Sequence, residues 1–322
     1  MGRYRKLSEY LREKYGVRVQ RIPIFAGFTC PNRLIGEPCI YCDPTGSGFS
    51  TLMNLSIPEQ VRVWKERLKR KYKKVKFIAY FQAFSNTFAP VEVLKEKYEQ
   101  ALVDDEIVAL DISTRPDLLQ EDVLDLLESF KDRVDVFLDV GLQTVNYRTL
   151  KILKRHHTLA EFIDGVMRAK KRGFEVTVHV IVNLPWDDIE DVIETAKVLS
   201  ALGVDGVKLH SLYVVEGTEL ARMYGRGEVR IGSVEEYVDR VITFLEYLDP
   251  SVVIHRLASD PPKKGVIFGN WGLSKSQIIR MIEEEMERRD SWQGKKFDYL
   301  IRERIDEKIR MCRDRGAGGT RP

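Results

Sequence analysis

The sequence predicts an α/β fold, a partial (β/α)6 barrel of the TIM type followed by a C-terminal α+β extension, and three observations predict it. Apolar, β-rich runs alternate with helical patterns six times between residues 21 and 215. That rhythm builds a parallel sheet, and no GxGxxG loop marks a dinucleotide-binding domain instead. The 322 residues, 43% hydrophobic and 31% charged, are enough to bury a core of that size.

The chain opens with MGRYRKLSEYLREKYG, which lacks the apolar core of a signal peptide, and no apolar run approaches the roughly 20 residues of a membrane span. A cytoplasmic protein with no membrane partner is therefore expected. The first strand, 21–28, runs into CPNRLIGEPCIYC, which holds Cys30, Cys39 and Cys42, three of the four cysteines. An odd cluster argues against a disulfide framework and leaves metal. Structural zinc closes four ligands, yet all five histidines lie beyond residue 155. An iron–sulfur cube ordinarily takes four cysteines, so three leave one iron open, which suits a catalyst that binds its substrate through iron. The spacing alone keeps both an open-iron cluster and an incomplete zinc site in view. The fourth cysteine, Cys312, in a polar tail, is expected to be incidental.

Helix 57–72 ends in Lys69-Arg70-Lys71-Tyr72-Lys73-Lys74, the solvated face of a helix on one reading and a nucleic-acid contact on the other. The second strand, 76–84, ends in YFQAFSNTFAP, with Gln82 on one face and Asn86-Thr87 in a turn that can also cap helix 91–103. The third, 107–114, continues into Arg115, on the parity of Asp111 and Ser113. Its guanidinium fork suits a carboxylate or phosphate, or an ion pair with a neighbouring acid. After helix 120–129, the fourth strand, 134–142, sets Asp135, Asp139 and Gln143 on one parity, and an inward acid such as Asp139 needs a partner.

Helix 159–172 leads to the fifth strand, 175–184, where His179 and Asn183 share a face. Helix 189–202 leads to the sixth, 204–215. There Lys208 and His210 point inward together, the candidate pair for substrate binding or proton transfer. From these elements residues 1–232 are assigned to the barrel. Residues 233–322, with a short strand at 252–257 and two charged helices, are assigned to an extension that covers it.

Three clustered cysteines ending in Cys-x-aromatic-Cys after a first strand resemble the radical S-adenosylmethionine (radical SAM) enzymes. The long first gap, opening Cys-Pro-Asn, with YFQAFSNTFAP, STRPDLL, GLQT, VKLHSLYVVEGTELA, VVIHRL and RRDSWQG, is similar to the YhcC/YtqA-type family and, more distantly, to the Elongator catalytic subunit. The resemblance implies a [4Fe–4S] cluster on Cys30, Cys39 and Cys42, whose open iron chelates SAM and whose electron cleaves it to a 5′-deoxyadenosyl radical. It implies Tyr41 against the adenine, and Gln82, Asn86, Thr87, Ser113, Arg115, Gln143 and Asn183 around SAM. Asp139, where the family usually has glutamate, would meet a ribose. LKRHHT is similar to the family's Asn-Arg-Gly-His segment, with His157 on the histidine and His156 in place of glycine. His255, Arg256, Trp271, Gln293 and Gly294 would help close the site. An electron donor such as flavodoxin or ferredoxin is implied, and likeness to Elongator points to tRNA, at a modified uridine side chain. The other readings are a radical SAM enzyme for a small metabolite and a zinc-containing nucleic-acid-binding protein.

Overall fold

The computed structural model describes residues 2–46 and 48–300; Cys312 lies outside them. Helix α1 (Leu7–Tyr15) precedes β1 (Arg18–Ile24), the short α2 (Pro31–Leu34) and α3 (Ile57–Lys71). Then follow β2 (Val75–Phe81), α4 (Val91–Ala101), β3 (Ile107–Thr114), α5 (Glu121–Glu128), β4 (Asp135–Gln143), α6 (Tyr147–Ile152), α7 (Leu159–Lys171), β5 (Glu175–Ile181), α8 (Ile189–Ala201) and β6 (Gly206–His210). The last elements are β7 (Val214–Val215), α9 (Glu219–Gly225), α10 (Val234–Tyr247), β8 (Val253–Arg256), β9 (Val266–Phe268) and α11 (Lys275–Arg288).

Seven parallel strands form one sheet in the order β1-β2-β3-β4-β5-β6-β8. The sheet curls into a half-barrel: Arg21 of one edge strand and His255 of the other meet with Nη2 3.0 Å from Nδ1. Lys6 bridges to Ile254 beside them, so the N-terminal segment helps draw the edges together. Burial on both faces explains the near-continuous apolar runs, since helices cover the outside of a parallel sheet and its inside lines the barrel. Val61, Phe77, Ala79, Phe81, Leu94 and Tyr98 belong to that sheet–helix layer. Side chains cap α7 (Thr158 with Glu161), α8 (Asp188 with Asp191) and α10 (Ser233 with Glu236), each satisfying backbone donors of the first turn.

Three elements differ from the sequence reading. The barrel sheet has seven strands, because β8, assigned to the extension, pairs with β6 in parallel. The first strand stops at Ile24. The Gln60 side chain takes over at Phe25, accepting from its N–H at 2.9 Å and donating to its carbonyl at 2.8 Å, so the chain leaves the sheet without orphaned groups. The sixth run breaks after His210, and its end, β7, pairs antiparallel with β9 in a separate ribbon. No helix among the described residues is long and apolar enough to cross a membrane.

Candidate active site

The cysteine loop is anchored on the barrel at several points. Cys30 caps α2, and Cys42 N–H closes a turn on the Cys39 carbonyl at 2.9 Å. The Ile40 amide donates to Leu153 at 3.2 Å, and the Leu220 amide donates to Ile40 at 2.8 Å. The residues added by the long first gap are used: Asn32 Nδ2 lies 3.5 Å from Cys39 Sγ and donates to the Lys154 carbonyl at 3.0 Å, while Arg33 Nη2 lies 3.3 Å from Cys42 Sγ. Arg155 Nη1 lies 3.4 Å from Cys39 Sγ and donates to Tyr41 Oη at 3.2 Å; its Nη2 donates to the Gly141 carbonyl at 2.8 Å. Two guanidiniums thus face two thiols, placing positive charge beside any anionic group the thiols hold, while burial and the neighbouring Cys39 push the Cys42 thiol up to about 11 against the pull of Arg33.

All three cysteines line one cavity of about 190 Å³ at the C-terminal ends of the strands. This is where a barrel places its chemistry. Of the residues expected around it, Tyr41, Gln82, Ser113, Arg115, Asp139, Gln143 and His210 line it. Asn86, Thr87, Asn183 and Lys208 are not among its lining residues, and each has a structural reason. Asn86 Nδ2 donates to the carbonyls of Phe81, Ala83 and Ser113 at 2.9, 3.1 and 3.0 Å, tying the turn to two strands. Thr87 shares a hydrogen bond with Thr114, 2.5 Å between hydroxyls, and faces a larger outer groove of about 720 Å³ that holds none of the thiols. Asn183 Oδ1 accepts from the Leu212 amide at 2.8 Å and shapes the loop after β5.

Lys208 is the floor beneath the cavity. Its ammonium meets the Asp139 carboxylate and lies 3.2 Å from Tyr80 Oη, which also accepts from Ser113 at 3.1 Å. Asp139 therefore has a protein partner where the sequence suggested a ribose; His179 Nε2 is 3.3 Å from the same oxygen, and only Oδ1 is left unpartnered. Lys208 and His210, proposed as a pair, work apart: His210 Nδ1 is 3.2 Å from Ser259 Oγ and its ring stacks on His179 with centroids 5.1 Å apart. Burial, then Arg21 and Arg256, pulls Lys208 well below its usual range, which makes its contact with Asp139 a place where a proton can be held or passed. Burial, then Arg256, pushes His179 down to about 3, so its ring is neutral.

Arg115 is taken up by Asp117, at 3.0 and 2.8 Å, with Asn32 and the His156 carbonyl also on its donors; the neighbouring-acid reading describes it, not an open anion clamp. His157 Nε2 accepts from Arg155 Nε at 3.2 Å, so the histidine positions that arginine, and His156 carries φ 54, a conformation that favours the glycine of the family pattern. Trp271 donates to the Gly232 carbonyl at 2.7 Å and packs on Tyr237 and Phe268. Gln293 instead binds the N-terminal segment and the Asp249 and Val252 carbonyls. The sequence reading missed Arg155, Tyr80 and the loop's Asn32 and Arg33; the arginine of LKRHHT was the available signal.

The pattern of the Radical SAM superfamily matches residues 24–199, and that of the Radical_SAM C-terminal domain matches 204–288. The chain belongs to the radical SAM superfamily. It is similar to YtqA of Bacillus subtilis, 38% identical over 305 residues, which is 94% of this chain and 95% of that protein. It is also similar to a tRNA uridine(34) acetyltransferase of Methanocaldococcus jannaschii, 30% identical over 186 residues, 56% of this chain and 33% of that one. In fold it is similar to Methanocaldococcus infernus Elp3 lacking residues 1–46, with a TM-score of 0.68 at 20% identity, covering 85% of this chain and 64% of that chain.

Membership of the superfamily implies a [4Fe–4S] cluster and SAM, and the donor set fits. Among the described residues no three Cys, His, Asp or Glu side chains converge on a single-ion centre. A cube takes each thiol at a different corner and requires only that the three face one space, which they do.

Proposed function

We propose that this radical SAM protein is an enzyme in which Cys30, Cys39 and Cys42 hold the cluster, and SAM is held by Tyr41, Gln82, Ser113 and Gln143. The observation that carries the proposal is the shared cavity of three thiols with Arg33 and Arg155 donating toward two of them. Cluster and SAM together supply one-electron cleavage of SAM and hydrogen-atom abstraction from a substrate carbon. The chain's own residues orient and screen: Arg155 fixes Tyr41, and Tyr80, Lys208 and Asp139 close the floor against water. The electron would come from a flavodoxin or ferredoxin. The test is 5′-deoxyadenosine production from SAM and dithionite by anaerobically reconstituted protein, with Cys39→Ala as control. Product that vanishes in the control is expected; no product and no spectral change of the cluster on adding SAM would overturn the reading.

The substrate proposed is tRNA, at a modified uridine side chain, supported by the likeness to a tRNA uridine(34) acetyltransferase. The basic cluster supports it less directly. Lys69 to Lys74 lie just before Val75, the start of β2, whereas Gln82 follows its last residue, so roughly 20 Å of strand separates them from the cavity. Lys65, farther back on α3, is already paired with Asp104 and Glu106. Exposed Lys263 and Lys264 follow the cavity-lining Ser259 and Asp260 by only a few residues of chain. Binding of tRNA is expected to weaken steeply between roughly 50 and 200 mM salt, and to weaken more on reversing Lys263 and Lys264 to Glu than on reversing Lys69, Lys71, Lys73 and Lys74. A small metabolite is the second reading, favoured by the distance of that cluster. Salt-insensitive or absent tRNA binding would select it.

A further inference from the structure

Five guanidinium groups surround the cavity and its floor, those of Arg21, Arg33, Arg115, Arg155 and Arg256, and four of them are committed. Arg21 pairs with Asp111 at 2.7 Å and meets His255 at 3.0 Å. Arg33 serves Cys42 and the Asp43 carbonyl, Arg115 serves Asp117, and Arg155 serves Cys39, Tyr41 and Gly141. Arg256, which lines the cavity, has no side-chain hydrogen bond or ion pair with any described residue.

The surrounding charges do not offset it. Asp111 is paired with Arg21, Asp139 with Lys208, and Asp260, also on the wall, with Lys275 at 2.7 Å. Burial keeps His179, His210 and His255 neutral. In the sheet register Arg256 lies opposite Lys208, which is taken up by Asp139, so its strand neighbour offers no counter-charge. A positive charge left over in a partly enclosed cavity is costly unless a ligand supplies its counterpart.

A second group points to the same ligand. His210 lines this cavity, and its Nε2 is buried without a partner. Ser259, 3.2 Å from Nδ1, can donate to that nitrogen, which leaves the ring proton on Nε2 and a donor directed into the cavity.

We propose that Arg256, together with His210 Nε2, receives an anionic group, a carboxylate or a phosphate, carried by the molecule on which this cavity acts. The proposal rests on the cavity being the reaction site and is independent of whether that molecule is tRNA. It also gives the planar fork of Arg256 a bidentate task.

SAM carries a carboxylate of its own, so the test must separate the two sources. Inorganic phosphate and acetate are titrated, at fixed ionic strength, into anaerobically reconstituted full-length protein with isotope-labelled histidine rings. A saturable shift of the His210 signal is expected, with affinity falling about tenfold or more in Arg256→Gln. Arg256→Lys should recover only part of it, since an ammonium lacks the fork. A parent-like denaturant midpoint and near-UV circular dichroism of the anion-free variants verify that the barrel is intact. Phosphate binding that persists with saturating SAM assigns the subsite to the second substrate; displacement by SAM overturns that assignment, and so does binding unchanged by Arg256→Gln. The same titration on Cys39→Ala keeps the outcomes apart: phosphate binding retained there supports the subsite even if no 5′-deoxyadenosine ever forms.

Discussion

Exchanging Arg155 for methionine is expected to lower 5′-deoxyadenosine formation roughly 10- to 100-fold, the scale on which groups just outside a metal's ligands act. The side chain is buried, and its donors reach Cys39 Sγ, Tyr41 Oη, the Gly141 carbonyl and His157. Methionine fills similar volume but leaves the carbonyl and the phenol without their donor, and the thiol without its cation. Since Arg155 is not itself a ligand, iron and sulfide content should stay close to the parent's while turnover falls. Cys39→Ala, in contrast, should lose the iron. An unchanged rate in Arg155→Met would mean that the contact with Cys39 has no bearing on SAM cleavage, and complete loss of iron would make the arginine a purely structural brace. His157→Gln gives a graded comparison, because a side-chain amide can still accept from Nε of Arg155.

What could be read in the sequence was whatever local pattern encodes. Strand–helix alternation is local, and six strands were legible from it; β8 is only four residues long, and nothing in those four residues says whether they join the main sheet or a separate layer. The thiols were legible because three cysteines within a short loop have few other uses. Strand parity correctly turned Asp139, Ser113 and His210 inward, yet it could not name their partners. Lys208 reaches Asp139 across the intervening strand β5, and Arg155 reaches Cys39 over a sequence separation of 116 residues. Long side chains choose among several neighbours by geometry that no spacing rule carries. Asn86 and Thr87 show the converse: a turn motif can match a ligand-binding pattern while the Asn86 amide donates to backbone carbonyls and the Thr87 hydroxyl bonds that of Thr114.

Lys208→Met is expected to destabilise the protein by about 3–5 kcal/mol, since it strands the Asp139 carboxylate in the floor of the barrel. Asp139 is 1% exposed and its remaining neighbour, His179, is held neutral, so no other cation takes the place of the ammonium. Removing both charges, as Lys208→Met with Asp139→Leu, should cost less than either single change, because two apolar side chains leave no uncompensated charge. Denaturant unfolding of the four proteins at equal cluster loading measures this, as bound groups add stability of their own. Additive losses would show that the two side chains do not act as a pair. The doubly apolar protein then separates structure from chemistry. If it folds and still cleaves SAM slowly without substrate, but no longer turns over with substrate, the buried pair exists to handle a proton at the reacting centre. If substrate turnover survives, the pair is a structural plug, and proton transfer falls to His210.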